Sequence, residues 1–293
     1  MYQAITSNIR KTYFYLFLIF VLILILGYVL GWYFKNQTIF VGVIIFALVY
    51  NLLAYFWGDQ VVLIANGAKE INKKDLPELY NLIENMSIQL GLPTPKIYVM
   101  NEEMPNAFAC GRDPNHSSIA VTKGLLDLME RKELEGVLAH EFSHIKNYDI
   151  RLATIVAVLV GAVVILVNYM GRFFWFSDED NNRGIIGLII LIITLILAPI
   201  AVQMIQLAIS RRREFLADAS SVEITRFPQG LISALQKIEK SPRGIAKAPP
   251  ATAHLYFASP FKASKKQSSP FANLFSTHPP INERIKALKK MGF

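Results

Sequence analysis

Four stretches of the chain carry no charged residue: Thr12 to Phe34, Asn36 to Gly58, Leu152 to Gly171 and Gly184 to Ser210. A helix needs about 20 mostly apolar residues to cross the hydrocarbon core of a bilayer. The pattern therefore predicts four transmembrane helices. The alternative, a soluble protein with four buried helices, has no use for so many uncharged segments. Only a few residues around Lys35 separate the first two stretches, so these form a tight hairpin. The fourth is long enough for about 40 Å of helix, against roughly 30 Å of hydrocarbon. It must tilt or leave the lipid with its last turns, and Pro199 is a natural kink point.

Between and after these stretches the patterning changes. From Lys74 to Leu90, apolar residues recur at helical spacing (Leu76, Leu79, Leu82, Ile83, Met86, Leu90), and Gly91 closes the run. Lys96 to Met100, Ala107 to Gly111 and Ser118 to Thr122 are short strand candidates with tight connections, which predicts a small antiparallel sheet. Gly124 to Met129 reads as a short helix. Lys132 to Asn147 reads as an amphipathic helix with Leu134, Val137, Leu138 and Phe142 on its apolar face. Helical patterning returns at Glu214 to Asp218, at Pro228 to Glu239 and at Asn282 to Lys290. Ser241 to Thr277 is rich in proline, serine and lysine and reads largely as loop. The expected organisation is a transmembrane hairpin (1–58), the first part of a soluble domain (59–150), a second transmembrane hairpin (151–210) and the remainder of the soluble domain (211–293).

Charge orients this arrangement. Of the 293 residues only 18% are charged and 53% are hydrophobic, while the formal net charge is +8. Soluble domains carry about 25% charged residues. The basic residues cluster beside the apolar stretches: Arg10 and Lys11, Lys146 and Arg151, and Arg211 to Arg213. The positive-inside rule puts those ends, both termini and the soluble domain in the cytoplasm. Nucleic-acid binding is not expected, because no reader motif accompanies the basic balance. A transporter is not expected either, because the four stretches contain no ionisable group to form a pathway. The single cysteine, Cys110, excludes an internal disulfide.

The chemistry sits at His140-Glu141-Phe142-Ser143-His144. On a helix, His140 and His144 lie one turn apart on one face and can share a zinc ion, with Glu141 placed as general base. A catalytic zinc needs three protein ligands and one open position. Candidates for the third ligand are Asp149, Glu214, Asp218, His254 and His278. Position favours Glu214: the third and fourth apolar stretches form a hairpin, so the residues at their inner ends should meet. Asp218 lies one turn beyond Glu214 and could accept a hydrogen bond from the second nitrogen of a ligand histidine. The competing reading leaves Glu214 a solvated partner of the adjacent arginines.

The chain resembles the membrane-bound zinc metalloproteases of the HtpX kind, bacterial relatives of the eukaryotic CAAX prenyl endopeptidases. The resemblance rests on His140 to His144, on Glu214-Phe215-Leu216-Ala217-Asp218, on Pro105-Asn106-Ala107-Phe108-Ala109 and on Ser276-Thr277-His278-Pro279-Pro280 followed by Arg284-Ile285. It implies an integral membrane α+β protein with four transmembrane helices and a cytoplasmic zincin-type (gluzincin) domain. It further implies one Zn2+ per subunit held by His140, His144 and Glu214, with Glu141 as the catalytic base. His278 is the candidate oxyanion donor, in a loop stiffened by the two following prolines. Arg284 could orient the site or bind Asp218, or it could be a plain helix-surface arginine. Asn106, Ala107, Phe108 and Ala109 read as an exposed strand edge along which a substrate could lie. The implied setting is the bacterial inner membrane, with misfolded or membrane proteins as substrates, in quality control and stress response. The alternatives are a narrow-specificity processing peptidase of the prenyl-peptide or signal-peptide type, or a non-catalytic metal-binding membrane protein.

Overall fold

The computed structural model describes residues 2–33, 35–175, 210–241, 248–260 and 279–291. Helices α1 (Tyr2–Tyr33) and α2 (Gln37–Ala65) form the expected hairpin, with the Asn36 side chain capping α2 by accepting from the Thr38 N–H. Both expose large apolar side chains, among them Phe17, Trp32, Ile45 and Phe46, as a lipid-facing surface requires. At 29 residues, α2 is about 43 Å long and overshoots the hydrocarbon core. Its inner end, with Val62 and Leu63, packs into the soluble domain.

The expectation of four transmembrane helices is corrected. Among the described residues two helical segments, Ile5–Ile25 and Gln37–Ala65, are long and apolar enough to cross a membrane. A third is added only if Arg131–Lys146 and Asp149–Ile165, which meet at 84°, count as one broken span. At that bend the chain leaves the helix Arg131–Lys146 and begins the helix Asp149–Trp175. The chain does not enter the third apolar stretch as a free span, because its first residues are tied into the soluble domain. The fourth stretch, Gly184 to Ser210, lies outside the described residues except for Ser210.

The soluble domain is α+β. Its sheet contains β1 (Ala68–Glu70), β2 (Lys96–Met100), β3 (Ala107–Asp113) and β4 (His116–Thr122), in the order β1-β2-β4-β3. The β3–β4 hairpin and the β1–β2 pair are antiparallel, and β2 pairs with β4 in parallel. The sheet is thus mixed, because the chain passes from β2 over β4 before turning back. β1 is too short to have a readable period.

One face of the sheet packs on α3 (Pro77–Leu90) and on α5 (Arg131–Lys146), and the core continues to α8 (Pro228–Lys240) and α9 (Ile281–Lys290). The other face meets the ends of α2 and α6 (Asp149–Trp175) and a 3-10 turn, Pro250–Leu255. α4 (Lys123–Leu128) links β4 to α5, and α7 (Arg211–Thr225) lies against α5. A capping box at Glu130 and Glu133 starts α5. It ends at Asn147, and Tyr148 takes a left-handed backbone (φ 59°) that turns the chain into α6.

Candidate metal centre

Helices α5 and α7 are held closely enough to place ligands on both. A Cβ on Gly136 would stand 2.9 Å from the Leu231 nitrogen on α8, and the Ser221 hydroxyl of α7 donates to the Gly136 carbonyl at 2.7 Å. This packing sets His140 and His144 of α5 opposite Glu214 of α7. The two Nε2 atoms are 3.1 Å apart. Glu214 Oε2 is 3.8 Å from His140 Nε2, and Oε1 is 3.5 Å from His144 Nε2. Ligands at 2.0–2.1 Å around a tetrahedral zinc stand about 3.3 Å from one another. The two nitrogens and the Glu214 carboxylate therefore approximate one face of such a tetrahedron.

The other ring nitrogens are engaged so that Nε2 turns inward on each histidine. Asp218 Oδ1 lies 2.9 Å from His140 Nδ1, and Asp149 Oδ2 lies 3.0 Å from His144 Nδ1. Burial pulls the His140 imidazole down to about 4, outweighing its bond to Asp218. It is neutral at pH 7, which is the form that binds metal. Burial works the same way on His144, but the Asp149 and Glu214 carboxylates outweigh it and raise that group to about 9. The Asp149 and Glu214 carboxylates thus favour positive charge beside His144. Donor type and spacing fit zinc, and His140, His144 and Glu214 form a mononuclear zinc site.

A family model, Peptidase family M48, matches residues 73–292. The chain belongs to peptidase family M48. The M48 chain is 47% identical over 296 residues to a protein named protease HtpX homolog from Dictyoglomus turgidum, covering 99% of this chain and 95% of the relative. It is 41% identical over 301 residues to one of the same name from Streptococcus gordonii, covering 99% and 100%. Among solved structures, Ste24p of S. mikatae matches the fold with a TM-score of 0.51 at 18% identity, over 98% of this chain and 67% of that one. This M48 protein is a zinc metalloendopeptidase of the HtpX type. It sits in the inner membrane with its catalytic cluster on the cytoplasmic side, and it acts on membrane or membrane-associated proteins, in keeping with a quality-control role.

Glu141 is buried beside the ligands, and burial pushes its carboxyl up to about 7; Glu214 adds to the rise, while His144 and the Ala109 N–H oppose it. Arg284 is no surface arginine. It is buried on α9 and grips Asp218 through Nε at 2.9 Å and Nη2 at 2.6 Å. Its Nη1 donates to the Phe257 carbonyl at 2.9 Å, and the Phe257 ring packs on both its guanidinium and the His140 ring.

Ala107 to Ala109 begin the outermost strand and Asn106 precedes it, but the outer side of this stretch is covered rather than exposed. The Phe257 N–H donates to the Ala107 carbonyl at 2.8 Å. The Asn106 carboxamide donates to the Ala258 carbonyl at 2.8 Å and accepts from the Ala258 N–H at 3.2 Å. Asn106, Ala107, Phe108 and Ala109 are all buried, with Phe108 edge-on to Tyr256. The reason is chain economy: the segment after the 3-10 turn supplies the hydrogen bonds this edge would otherwise lack.

His278 lies outside the described residues. His116 pairs with Asp113, and His254 Nε2 contacts the Ala153 carbonyl, so neither joins the cluster. Sequence reading missed the Asp149–His144 pairing, although Asp149 was among the acidic candidates. The missed signal was the helix break between them, which turns Asp149 back toward α5.

Proposed function

We propose that residues 59–150 and 211–293 act as one cytoplasmic protease domain that cleaves peptide bonds of misfolded or membrane proteins, with Glu141 as general base. His140, His144 and Glu214 would hold a zinc ion, which would act as a Lewis acid toward water and the scissile carbonyl. Glu141 takes the proton from the attacking water and hands it to the leaving amine. A carboxyl group held near 7 by burial is suited to both halves of that transfer. Asp218 and Asp149 fix the ligand histidines, and Arg284 fixes Asp218. His278 serves as a donor to the developing oxyanion.

The substrate lies along β3 by strand addition, with Asn106 to Ala109 as its template. Ala107 already receives the Phe257 N–H, so a peptide pairing at that position must displace residues 257 and 258. The cavity at the site is bounded by Tyr256 and Phe257 and has a volume of about 40 Å³, enough for an ion and water.

The observation that carries this reading is the three-atom cluster with Glu141 buried beside it. Its test is the zinc content and proteolytic rate of Glu141→Gln in the full chain. Zinc is expected to stay near one per chain while cleavage is lost. Cleavage at the wild-type rate would overturn the role given to Glu141.

A further inference from the structure

The zinc cluster is bordered by a group from the far end of the chain. Asn8 lies near the start of α1 and is buried, with 2% of its surface exposed. Its carboxamide donates to Asp149 Oδ1 at 2.7 Å and to the Asn147 carbonyl at 3.2 Å. Its oxygen accepts from Arg213 Nη1 at 3.0 Å. Arg213 also reaches Asp149 Oδ1, at 2.9 Å. The other oxygen of Asp149 holds His144, and Arg213 is the residue before Glu214. One side chain of the first membrane helix thus binds the break after α5 and the start of α7, which are the two elements that carry the metal ligands.

The contacts explain the residue type. An amide offers two donors and an acceptor, and here both kinds are used within one buried cluster. Aspartate would set a second carboxylate against Asp149. Leucine would leave Asp149 and Arg213 without these bonds. The rest of the helix supports the placement. Thr12 is buried one turn on and bonds the Asn8 carbonyl, and Tyr15 and Ile19 continue the same face into the contact with Leu152, Ile155 and Leu159 of α6.

We infer that Asn8 is a positioning residue for the zinc site, holding Asp149 against His144 and registering Arg213, and with it Glu214, on α5. The inference rests on the metal site described above. It makes a membrane helix part of the support of the catalytic centre. Groups bonded directly to a ligand histidine, as Asp149 is, are worth about 10–100-fold in metal affinity, and Asn8, acting through Asp149, belongs at the low end of that range.

The test compares wild type, Asn8→Ala and Asn8→Asp as full chains in detergent. Two quantities are read: zinc retained against a competing chelator, and the melting temperature of each zinc-stripped protein. Both variants are expected to lose zinc at roughly tenfold lower chelator concentration or below, and to lose less melting temperature in the zinc-stripped protein than in the loaded one. Asn8→Asp is isosteric and leaves no cavity, so it carries the test if Asn8→Ala does not fold. Wild-type zinc retention in the variants would overturn the inference. So would a fall in the melting point of the stripped variants as large as that of the loaded ones, because Asn8 would then be only an anchor for α1. A wild-type chain that holds no zinc would be a different failure, that of the metal site itself.

Discussion

Arg284 and Asp218 form a two-pronged ion pair, Nε to Oδ2 at 2.9 Å and Nη2 to Oδ1 at 2.6 Å, with almost no exposed surface on either side chain. Burial alone would raise the Asp218 carboxyl, but the Arg284 charge and the bond to His140 bring it down to about 2. The pair links the last helix to the helix that carries Glu214. Removing one member leaves the other charged and buried, which costs about 3–5 kcal/mol. Arg284→Met is therefore expected to lower the melting point markedly, in the zinc-stripped protein as well as in the loaded one. An unchanged melting point for the stripped protein would show that the pair does not support the fold.

Asp218→Asn tests a separate property of the same carboxylate. The amide keeps the size of the side chain but turns a donor toward Arg284 or toward His140 Nδ1. His140 then loses its charged orienting partner, now 2.9 Å away. Zinc affinity is expected to fall about 10–100-fold, measured by chelator competition. Affinity within twofold of wild type would leave Asp218 a fold residue only.

The sequence announced the parts with short-range logic. His140, Glu141 and His144 are fixed by one turn of helix, and Glu214 and Asp218 by another. What brought the two turns together was legible in outline, as the inner ends of two apolar stretches. The exact partners were not legible. Asp149 reaches His144 only because Tyr148 adopts a left-handed backbone, a conformation no local pattern announced. Asn8 and Arg213 are 205 residues apart, and nothing in the spacing of either points to the other. The covering of β3 by residues 257 and 258 was hidden for a different reason: it is made by a segment of loop composition, where periodicity carries no information. Among the described residues the count of membrane helices falls short of four, and the bend after α5 was not legible, because hydropathy records how apolar a stretch is and not how the chain enters it.

Gly230 marks a close approach of α8 to the metal-bearing helix. A Cβ there would lie 2.4 Å from the Lys132 carbonyl oxygen of α5, a backbone atom that cannot step aside. Gly230→Ala must push the two helices apart. The expected cost is about 1–3 kcal/mol, despite the gain in helix propensity that alanine brings at an open site. A thermal melt of the zinc-stripped protein reads this directly, and stability equal to or above wild type would show that the contact relaxes freely.

Glu133 provides a pH-dependent prediction outside the zinc cluster. Its carboxylate accepts from Lys237 Nζ at 2.6 Å, from Ser233 Oγ at 2.5 Å and from the Glu130 N–H at 2.8 Å, so it fastens α8 to the start of α5. Burial pushes this carboxyl up, but the bonds from Lys237, Ser233 and the backbone outweigh it and the group ends below its usual value. The sign follows from linkage. A carboxyl held low in the folded protein binds its proton less readily there than in the unfolded chain. Its contribution is complete above the unfolded value of about 4.3 and fades as pH falls through the folded value. Glu133→Gln is expected to cost about 1–2 kcal/mol near pH 7, where charged hydrogen bonds are lost. The difference from wild type should shrink when both are melted below pH 4. A difference that stays constant across that range would mean that the shape of the side chain, and not its charge, holds α8 in place.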